Sequence, residues 1–271
     1  MNTTHVRRHP KRIVCLTEET TETLYRIGEQ DRIVGISGFT VRPARARKEK
    51  PRVSAFTSAK LDRIKALRPD LVLGFSDMQA DIAADLVRAG IAVHIFNQRS
   101  VEEIMDFIAL LGRMVGAPAK TDALLDELQR GMEVVMTSAS KIKLKPRVYF
   151  EEWDEPMISA IKWVSELIAM AGGKDCFVDR AAFQGAKERI ISDPAEVISR
   201  SPDLIIGSWC GKKFRPEKVA ARPGWDTLPA VRNRQLREIK SCDILQPGPA
   251  ALGDGLSQLH QHIRQYAEQQ S

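Results

Sequence analysis

The feature that most constrains the fold is an approximate internal repeat. IKALRPDLVLGF, residues 64–75, resembles VISRSPDLIIGS, residues 197–208, and Pro69-Asp70 aligns with Pro202-Asp203 at an offset of 133 residues. Proline disfavours helical geometry at the residue before it, so each short helix is expected to end there. The continuous apolar run that follows is typical of a strand buried on both faces of a parallel sheet. The repeat therefore predicts two related α/β lobes.

The beginning of each half supports this prediction. RIVCL and RVYFE are predicted strands, and TEETTETLYRIG and IKWVSELIAMAGG are predicted helices, with an acidic turn before the helix in each half. Further predicted strands are DRIVGIS, DLVLGF and AVHIF in the first half and DLIIGS and LREIK in the second. Alternating strands and helices predict the α/β class, with a Rossmann-like parallel sheet in each lobe.

One long helix is predicted between the lobes. Leu124, Leu128, Met132 and Val135 form a narrow apolar stripe at helical spacing, and Pro118 suits a first helical turn. No stretch rich in glycine and serine interrupts this region, so a flexible linker is not expected. The predicted organisation is an N-terminal lobe at 11–116, a bridging helix at 117–144 and a C-terminal lobe at 145–271.

Composition narrows the class of protein. The chain has 271 residues, is 43% hydrophobic and carries a net charge of +6 from 41 basic and 35 acidic residues. Because the basic residues are mixed with acids, no nucleic-acid partner is expected. Four scattered cysteines do not suggest a disulfide framework, and no apolar run is long enough to span a membrane. We expect a monomer. It would be cytoplasmic, because the N-terminus lacks the apolar segment of a secretory signal, or periplasmic if a signal is missing from this chain.

Ligands of parallel α/β sheets bind beyond the carboxyl ends of the strands, and acidic and aromatic residues occur at such positions here. The acids there include Glu18, Glu19, Glu151 and Glu152, and the aromatics are Phe39, Phe56, Trp153 and Trp209. If the lobes face each other, both acidic turns would point into one ligand cleft. The acids would then bind a cationic ligand or a hard metal ion, or else stabilise helix N-termini. The aromatics would form a cleft wall or ordinary core.

The segment GSWCGKKFR adds a thiol and three cations after a second-half strand. Cys210, near Lys212 and Arg215, could have a lowered pKa and act as a nucleophile or ligand, but the sequence supplies no general base beside it. The cations would hold carboxylate or phosphate arms of a ligand, or form a solvated loop. No motif for nucleotide binding, serine hydrolysis or a zinc or calcium site occurs. We therefore predict no catalytic residue and no metal ligand.

Several segments together resemble the substrate-binding proteins of cobalamin and ferric-siderophore ABC importers, the helical-backbone class (class III) of periplasmic binding proteins. They are RIVCLTEETTETLYRIGEQDRIVGISGFTVRP and PRVSAFTSAKLDRIKALRPDLVLGF in the first half, and VSELIAMAGGKDCF, DPAEVISRSPDLIIGS, RPGWDTLPAVRNRQLREIK and QPGPAALGDGL in the second. The resemblance covers nearly all of residues 11–265. It implies a non-catalytic protein that holds a corrinoid, such as cobalamin, or a metal chelate between two lobes, and that has no cofactor.

Under this hypothesis the ligand-binding residues are Glu18, Glu19, Phe39, Phe56, Glu151, Glu152, Trp153, Trp209 and Cys210. The resemblance also concerns partners, since importer-docking members carry a surface Glu seven residues before each Pro-Asp. Here these positions are Asp62 and Ala195, with Glu196 one place further on. Asp62 and Glu196 are the predicted contacts to importer membrane subunits. The alternative is a cytosolic relative with an enzymatic or metal-handling role that uses the acidic turns or Cys210.

Overall fold

A computed structural model describes residues 9–270 of the chain. The chain divides into two compact units. Unit 1 contains the residues up to Gln98 together with Glu103–Asp126, and unit 2 contains Arg99–Glu102 together with the residues from Glu127 onward. Each unit contains one β-sheet, and this agrees with the prediction of two α/β lobes.

Unit 1 is built on a five-stranded, entirely parallel sheet with the strand order β3-β2-β1-β4-β5. Its strands are β1 (Ile13–Cys15), β2 (Ile33–Ser37), β3 (Arg52–Ser54), β4 (Leu71–Phe75) and β5 (Val93–Phe96). The helices in this part of the chain are α1 (Glu18–Arg26), α2 (Ala46–Glu49), α3 (Leu61–Ala66), α4 (Ala80–Arg88) and α5 (Val101–Met114). The central strands β1 and β4 are buried along their whole length, as their continuous apolar sequences predict.

Unit 2 contains a six-stranded sheet with the order β11-β10-β6-β7-β9, and β8 pairs with β6 off this path. The strands are β6 (Arg147–Asp154), β7 (Met157–Ser159), β8 (Lys174–Asp175), β9 (Ile190–Ile191), β10 (Leu204–Gly207) and β11 (Leu236–Glu238). Strands β8, β6, β10 and β11 are mutually parallel, whereas β7 and β9 pair in the antiparallel sense. The parallel core agrees with the prediction, and the antiparallel strands extend it.

The helices of unit 2 lie between and after these strands in the sequence. They are α7 (Lys162–Met170), α8 (Val178–Ala181), α9 (Pro194–Arg200), α10 (Pro216–Ala220), α11 (Pro229–Arg232), α12 (Ser241–Ile244) and α13 (Leu256–Gln269), the last preceded by a π-helical turn at Ala251–Gly255. Pro194, Pro216 and Pro229 each lie at the start of a helix, where a missing backbone N–H costs nothing. The core beneath includes Tyr149 and Trp225, both 0% exposed.

The predicted acidic turn of the second half is mostly strand. β6 continues through Glu151, Glu152, Trp153 and Asp154 before the chain reverses into β7. The sequence predicted a strand at RVYFE followed by an acidic turn. The structure extends the strand to Asp154 and gives each acid of β6 a basic partner, as described below.

The two Pro-Asp copies have the same structural role. The Asp70 carboxylate accepts hydrogen bonds from the backbone N–H groups of Lys11 and Arg12, at 2.7 and 2.9 Å, just before β1. The Asp203 carboxylate accepts one from the N–H of Arg147 at 2.8 Å, at the start of β6. In each unit the aspartate that precedes one central strand thus fixes the start of its neighbour. The repeat in the sequence therefore corresponds to a repeat in the structure.

The predicted long helix is α6, which runs over Pro118–Ala139, within the predicted range 117–144. Leu124, Leu128 and Met132 on its apolar stripe are buried. The division between the units falls inside this helix, between Asp126 and Glu127. The exact residue boundaries given above for the N-terminal lobe, the bridging helix and the C-terminal lobe stay predictions.

Candidate functional site

Each sheet has a point where the chain connections leave in opposite directions, and such points form ligand crevices at the carboxyl ends of the strands. In unit 1, β1 and β4 are neighbours, but β1 leads to β2 on one side and β4 leads to β5 on the other. In unit 2, β6 and β10 have the same relationship, since β10 leads to β11 and β6 leads on to β8. We call these ends the carboxyl edges. Both predicted acidic segments lie at them.

At the carboxyl edge of unit 1 the acids of α1 are buried rather than displayed. Thr17, with extended backbone geometry, precedes the helix, and Glu18 and Glu19 form its first turn, where negative charge complements the helix dipole. Glu18 Oε2 accepts a hydrogen bond from the N–H of Val41 at 2.6 Å. The Thr17 hydroxyl donates to Glu19, and Arg42 Nε lies 3.0 Å from Glu22 Oε1. Glu18, Glu19 and Glu22 are each at most 4% exposed.

Burial changes the charge of this edge. Loss of solvation raises the pKa of Glu18 to about 8, although the N–H of Val41 opposes the shift. The same cause raises the pKa of Glu19 to about 7, opposed by the hydroxyl of Thr17. Near neutral pH these carboxyl groups are therefore largely or partly protonated. Glu18 Oε1, Glu19 Oε2 and the Thr40 hydroxyl are buried and have no hydrogen-bond partner among the described residues.

At the carboxyl edge of unit 2 Glu151 is the centre of a buried polar network. Its side chain is 0% exposed, and both terminal nitrogens of Arg222 donate to it, at 2.5 and 3.0 Å. The Tyr149 hydroxyl and Trp209 Nε1 also donate to it, at 2.8 and 3.1 Å. Both carboxylate oxygens are thus satisfied, as a buried charge requires. The ligand contact predicted for Glu151 stays a prediction, and its burial is explained by this network alone.

The other two acids on this strand also face cations. Glu152 accepts a hydrogen bond from the guanidinium of Arg189 at 2.6 Å, and Arg189 is 1% exposed. Asp154 forms an ion pair with the ammonium of Lys212. Each acid of β6 therefore has a basic partner, and the strand presents little net negative charge.

The four predicted aromatic residues fall into different environments. Phe39, in the segment after β2, is 62% exposed. Phe56 and Trp153 are half-buried, and the ammonium of Lys212 lies 4.2 Å from the Trp153 ring centroid. Trp209 is 4% exposed and packs against Phe214 with ring centroids 5.0 Å apart. Core packing therefore describes Trp209, whereas Phe39 and Trp153 present ring surface.

The remaining predicted residues also have defined positions. Cys210 is exposed in the segment after β10. Asp62 is exposed on α3. Glu196 on α9 is half-buried and accepts hydrogen bonds from Arg180 and Arg200, at 2.6 and 2.7 Å. Of the two predicted docking acids, Asp62 is thus exposed, whereas Glu196 is half-buried and paired with arginines.

Sequence reasoning missed the cations that neutralise the acids. Arg222 lies in the segment RPGWD, which entered only through the resemblance, and Arg189 follows no recognisable pattern. Lys212 was noted, but as a group for ligand arms rather than as the partner of Asp154. The only signal for such partners is the general rule that a buried acid needs a cation, and it can be applied once the structure shows which acids are buried.

Among residues 9–270, no group of three or more histidine, cysteine, aspartate or glutamate side chains could hold a metal ion. No helix in the same range is both long and apolar enough to cross a membrane.

The two α/β units, each with predicted site residues after its central strands, have the architecture of the class III periplasmic binding proteins. The chain belongs to the periplasmic binding protein family, whose model matches residues 13–242. An uncharacterized ABC transporter substrate-binding lipoprotein of Bacillus subtilis, YvrC, is 23% identical over 95% of this chain and 81% of its own length. The vitamin B12-binding protein of Vibrio parahaemolyticus is 25% identical over 89% of this chain and 86% of its own length.

A solved structure shares the fold. The periplasmic heme-binding protein BhuT, in complex with two hemes, superposes with a TM-score of 0.80 at 22% identity, over 95% of this chain and 99% of that one. These relatives are named as binding proteins rather than enzymes, which agrees with the predicted absence of catalysis. One of these proteins is named as a lipoprotein and another as periplasmic.

Proposed function

We propose that this chain is a non-catalytic solute-binding protein whose ligand is a corrinoid or a metal chelate, held by residues at the carboxyl edges. The observation that carries the proposal is that aromatic surface is open at these edges while the acids of β6 are neutralised by cations. Phe39 is 62% exposed and Trp153 half-buried, while Glu151, Glu152 and Asp154 each have a basic partner. Large planar or apolar ligands bind such surfaces, because aromatic side chains bury much area with little loss of entropy.

The state of the acids argues against a simple cation as the ligand. Glu18 and Glu19 have raised pKa values, of about 8 and about 7, and therefore offer little fixed negative charge near neutral pH. Both side chains are also at most 4% exposed, and Glu18 Oε1 and Glu19 Oε2 are buried without a partner among the described residues, so ligand contact by these acids stays a prediction.

The relatives support the same ligand classes. One is named as a vitamin B12-binding protein and another as a heme-binding protein, and both ligands are large metal-containing macrocycles. These names describe the relatives, and the ligand of this chain is our proposal.

The test is calorimetric titration of the purified protein with cobalamin, cobinamide and hemin, because heat is free of the inner-filter effect of coloured ligands. We expect saturable binding of at least one of them at micromolar concentration or below. Phe39→Ala and Trp153→Ala should each weaken it about tenfold, which corresponds to roughly 1.4 kcal/mol.

Phe183→Ala is the matched control, because Phe183 is also an exposed aromatic residue, 49% exposed, but does not follow the carboxyl end of a central strand. It should leave affinity unchanged. Absence of binding of all three compounds at about millimolar concentration would remove the corrinoid and chelate proposal.

We also propose that the chain delivers its ligand to the membrane subunits of an ABC importer, in the periplasm. A relative named as an ABC transporter substrate-binding lipoprotein supports this role. Asp62 is the better placed docking contact, because it is exposed on α3. Asp62→Lys should reduce ligand uptake by cells and leave ligand affinity unchanged. Normal uptake by that variant would argue against docking through Asp62.

A further inference from the structure

The flank of unit 1 contains a depression that none of the predicted ligand contacts explains. Its volume is about 460 Å³. It is lined by Glu22, Tyr25 and Arg26 of α1 and by the segment Val41–Arg45 that follows β2. All these residues belong to unit 1, so the depression is a property of that unit alone.

The charge around the depression is positive. Three arginines, Arg26, Arg42 and Arg45, line it, against one acid, Glu22. Glu22 is committed to Arg42, whose Nε lies 3.0 Å from its Oε1. The wider segment, residues 42–50, contains five cations and one acid. A group that enters the depression therefore meets guanidinium groups and no unpaired carboxylate.

Arg45 is oriented by Tyr25. Its guanidinium carbon lies 5.0 Å from the Tyr25 ring centroid, in a cation–π contact. The Tyr25 hydroxyl is itself held, since it donates to Glu49 Oε2 at 2.6 Å. A stacked guanidinium uses its planar face against the ring and keeps its N–H edge for hydrogen bonds. That geometry suits the oxygens of a phosphate or a carboxylate, which arginine binds in a bidentate manner.

The depression adjoins the aromatic surface proposed above for the ligand. Val41 lines it and is 44% exposed, and Phe39 lies only two residues earlier. Two residues of chain span at most roughly 7 Å. A ligand whose apolar body covers Phe39 and Val41 would therefore place a short side arm beside the arginines.

We infer that this depression binds an anionic arm, a phosphate or carboxylate group, of the solute that the protein carries, with Arg45 as a specificity-determining residue. The inference rests on the proposed function, since it assumes that the solute covers Phe39. It adds that the solute carries a negative charge on a side arm, and it places that charge on unit 1.

The test compares ligands that differ in the arm. Cobalamin contains a phosphodiester in its nucleotide loop, and cobinamide lacks it. Hemin carries two carboxylates, and its dimethyl ester carries none. We would measure the Kd of each for the unaltered protein, Arg45→Gln and Arg47→Gln by calorimetry at low salt. Arg47 is the matched control, because it is exposed in the same segment but does not line the depression.

We expect Arg45→Gln to weaken binding of the member with the anionic arm about tenfold and to leave the member without that arm within twofold. Arg47→Gln should change neither. Equal weakening of both members, no weakening, or the same effect from Arg47→Gln would overturn the inference.

Inorganic phosphate separates this inference from the proposed function. It should raise the Tm of the unaltered protein at millimolar concentration, and not that of Arg45→Gln. A phosphate shift that requires Arg45, without binding of corrinoid or hemin, would keep the anion site and reject the proposed ligands. Two outcomes would reject the anion site. One is that the unaltered protein and Arg45→Gln bind either macrocycle with the same affinity. The other is that phosphate does not shift the Tm and neither macrocycle binds.

Discussion

Arg222 holds Glu151 with both terminal guanidinium nitrogens, at 2.5 and 3.0 Å, and the Glu151 side chain is completely buried. The carboxylate lies in strand β6, and Arg222 follows helix α10 some 70 residues later in the sequence. This pair turns an apparent acidic surface motif into part of the interior of unit 2. It also sets the electrostatic character of the carboxyl edge, because a paired charge attracts ligand cations much less than an unpaired one.

The first prediction concerns the stability of this pair. Arg222→Leu should lower the free energy of unfolding by about 3–5 kcal/mol, because it leaves a carboxylate without its charge partner in the core. Urea unfolding followed by circular dichroism measures the change. Arg215→Gln is the control, since Arg215 forms an exposed pair with Glu217 and its loss should cost less than about 1 kcal/mol. A similar small cost for both variants would contradict the structural role of Glu151.

The second prediction concerns pH and Glu18. The pKa of Glu18 is raised by burial from 4.5 to about 8, so the folded chain keeps a proton that the unfolded chain releases. This contribution to stability is complete below pH 4.5 and is lost as the pH rises through about 8. The free energy of unfolding should fall across this window, with a limiting slope of about 1.4 kcal/mol per pH unit for one proton.

Glu18→Gln removes the titrating group and keeps an oxygen to accept from Val41. The variant should therefore gain stability relative to the unaltered protein between pH 5 and pH 8, measured by urea unfolding at intervals across that range. Glu102→Gln, at an exposed position on α5, is the comparison and should run parallel to the unaltered protein. A difference between Glu18→Gln and the unaltered protein that does not vary with pH would refute the assignment.

The third prediction separates the two docking acids. Glu196→Lys should lower the free energy of unfolding by about 1–2 kcal/mol, because it places a cation beside Arg180 and Arg200, which both pair with Glu196. Asp62→Lys should change it by less than about 0.5 kcal/mol, as is usual at an exposed position. Guanidinium unfolding curves of both variants check this. A loss of uptake in Glu196→Lys must therefore be interpreted together with its loss of stability. Equal stability of the two variants would show that the ion pairs of Glu196 contribute little to the free energy of unfolding.

The fourth prediction concerns the thiols. Cys210 is exposed, whereas burial raises the pKa values of both Cys15 and Cys176 to about 12. A disulfide reagent at pH 8 should therefore modify Cys210 rapidly, the half-buried Cys176 much more slowly, and the buried Cys15 only on unfolding, since the thiolate is the reactive form. Cys210→Ser should remove the fast phase. A fast phase of unchanged amplitude in that variant would show that another thiol is accessible.

Much of the fold could be predicted because its signals are local. The Pro-Asp repeat and the apolar runs identified β1, β2, β4, β5, β10, β11 and the first part of β6. The spacing of Leu124, Leu128 and Met132 identified α6. Strands β3, β7, β8 and β9 were missed, because no longer apolar or alternating run marks these two- and three-residue segments in the sequence. Their existence depends on pairing with distant chain.

The position of the candidate residues at the carboxyl edges could be predicted, but their surroundings could not. The rule that ligands bind after parallel strands selected Glu18, Glu151 and Trp153. It could not show that Glu151 is matched by Arg222, because that pairing is 71 residues apart and is created by the tertiary structure. For the same reason Trp209, which the sequence left open between ligand wall and core, was decided only by its packing against Phe214. Ligand contact by these residues stays a prediction.

The position of the unit division within α6 has a consequence for anyone who wishes to produce the halves separately. A cut between Asp126 and Glu127 would divide one continuous helix of 22 residues into pieces of 9 and 13. Isolated helices of this length are marginal in water, because nucleation is costly and few hydrogen bonds follow it. A fragment meant to keep its native end should therefore include all of Pro118–Ala139. Modular exchange among relatives would then have to place its junctions outside the helix, after Met114 or beyond Ala139.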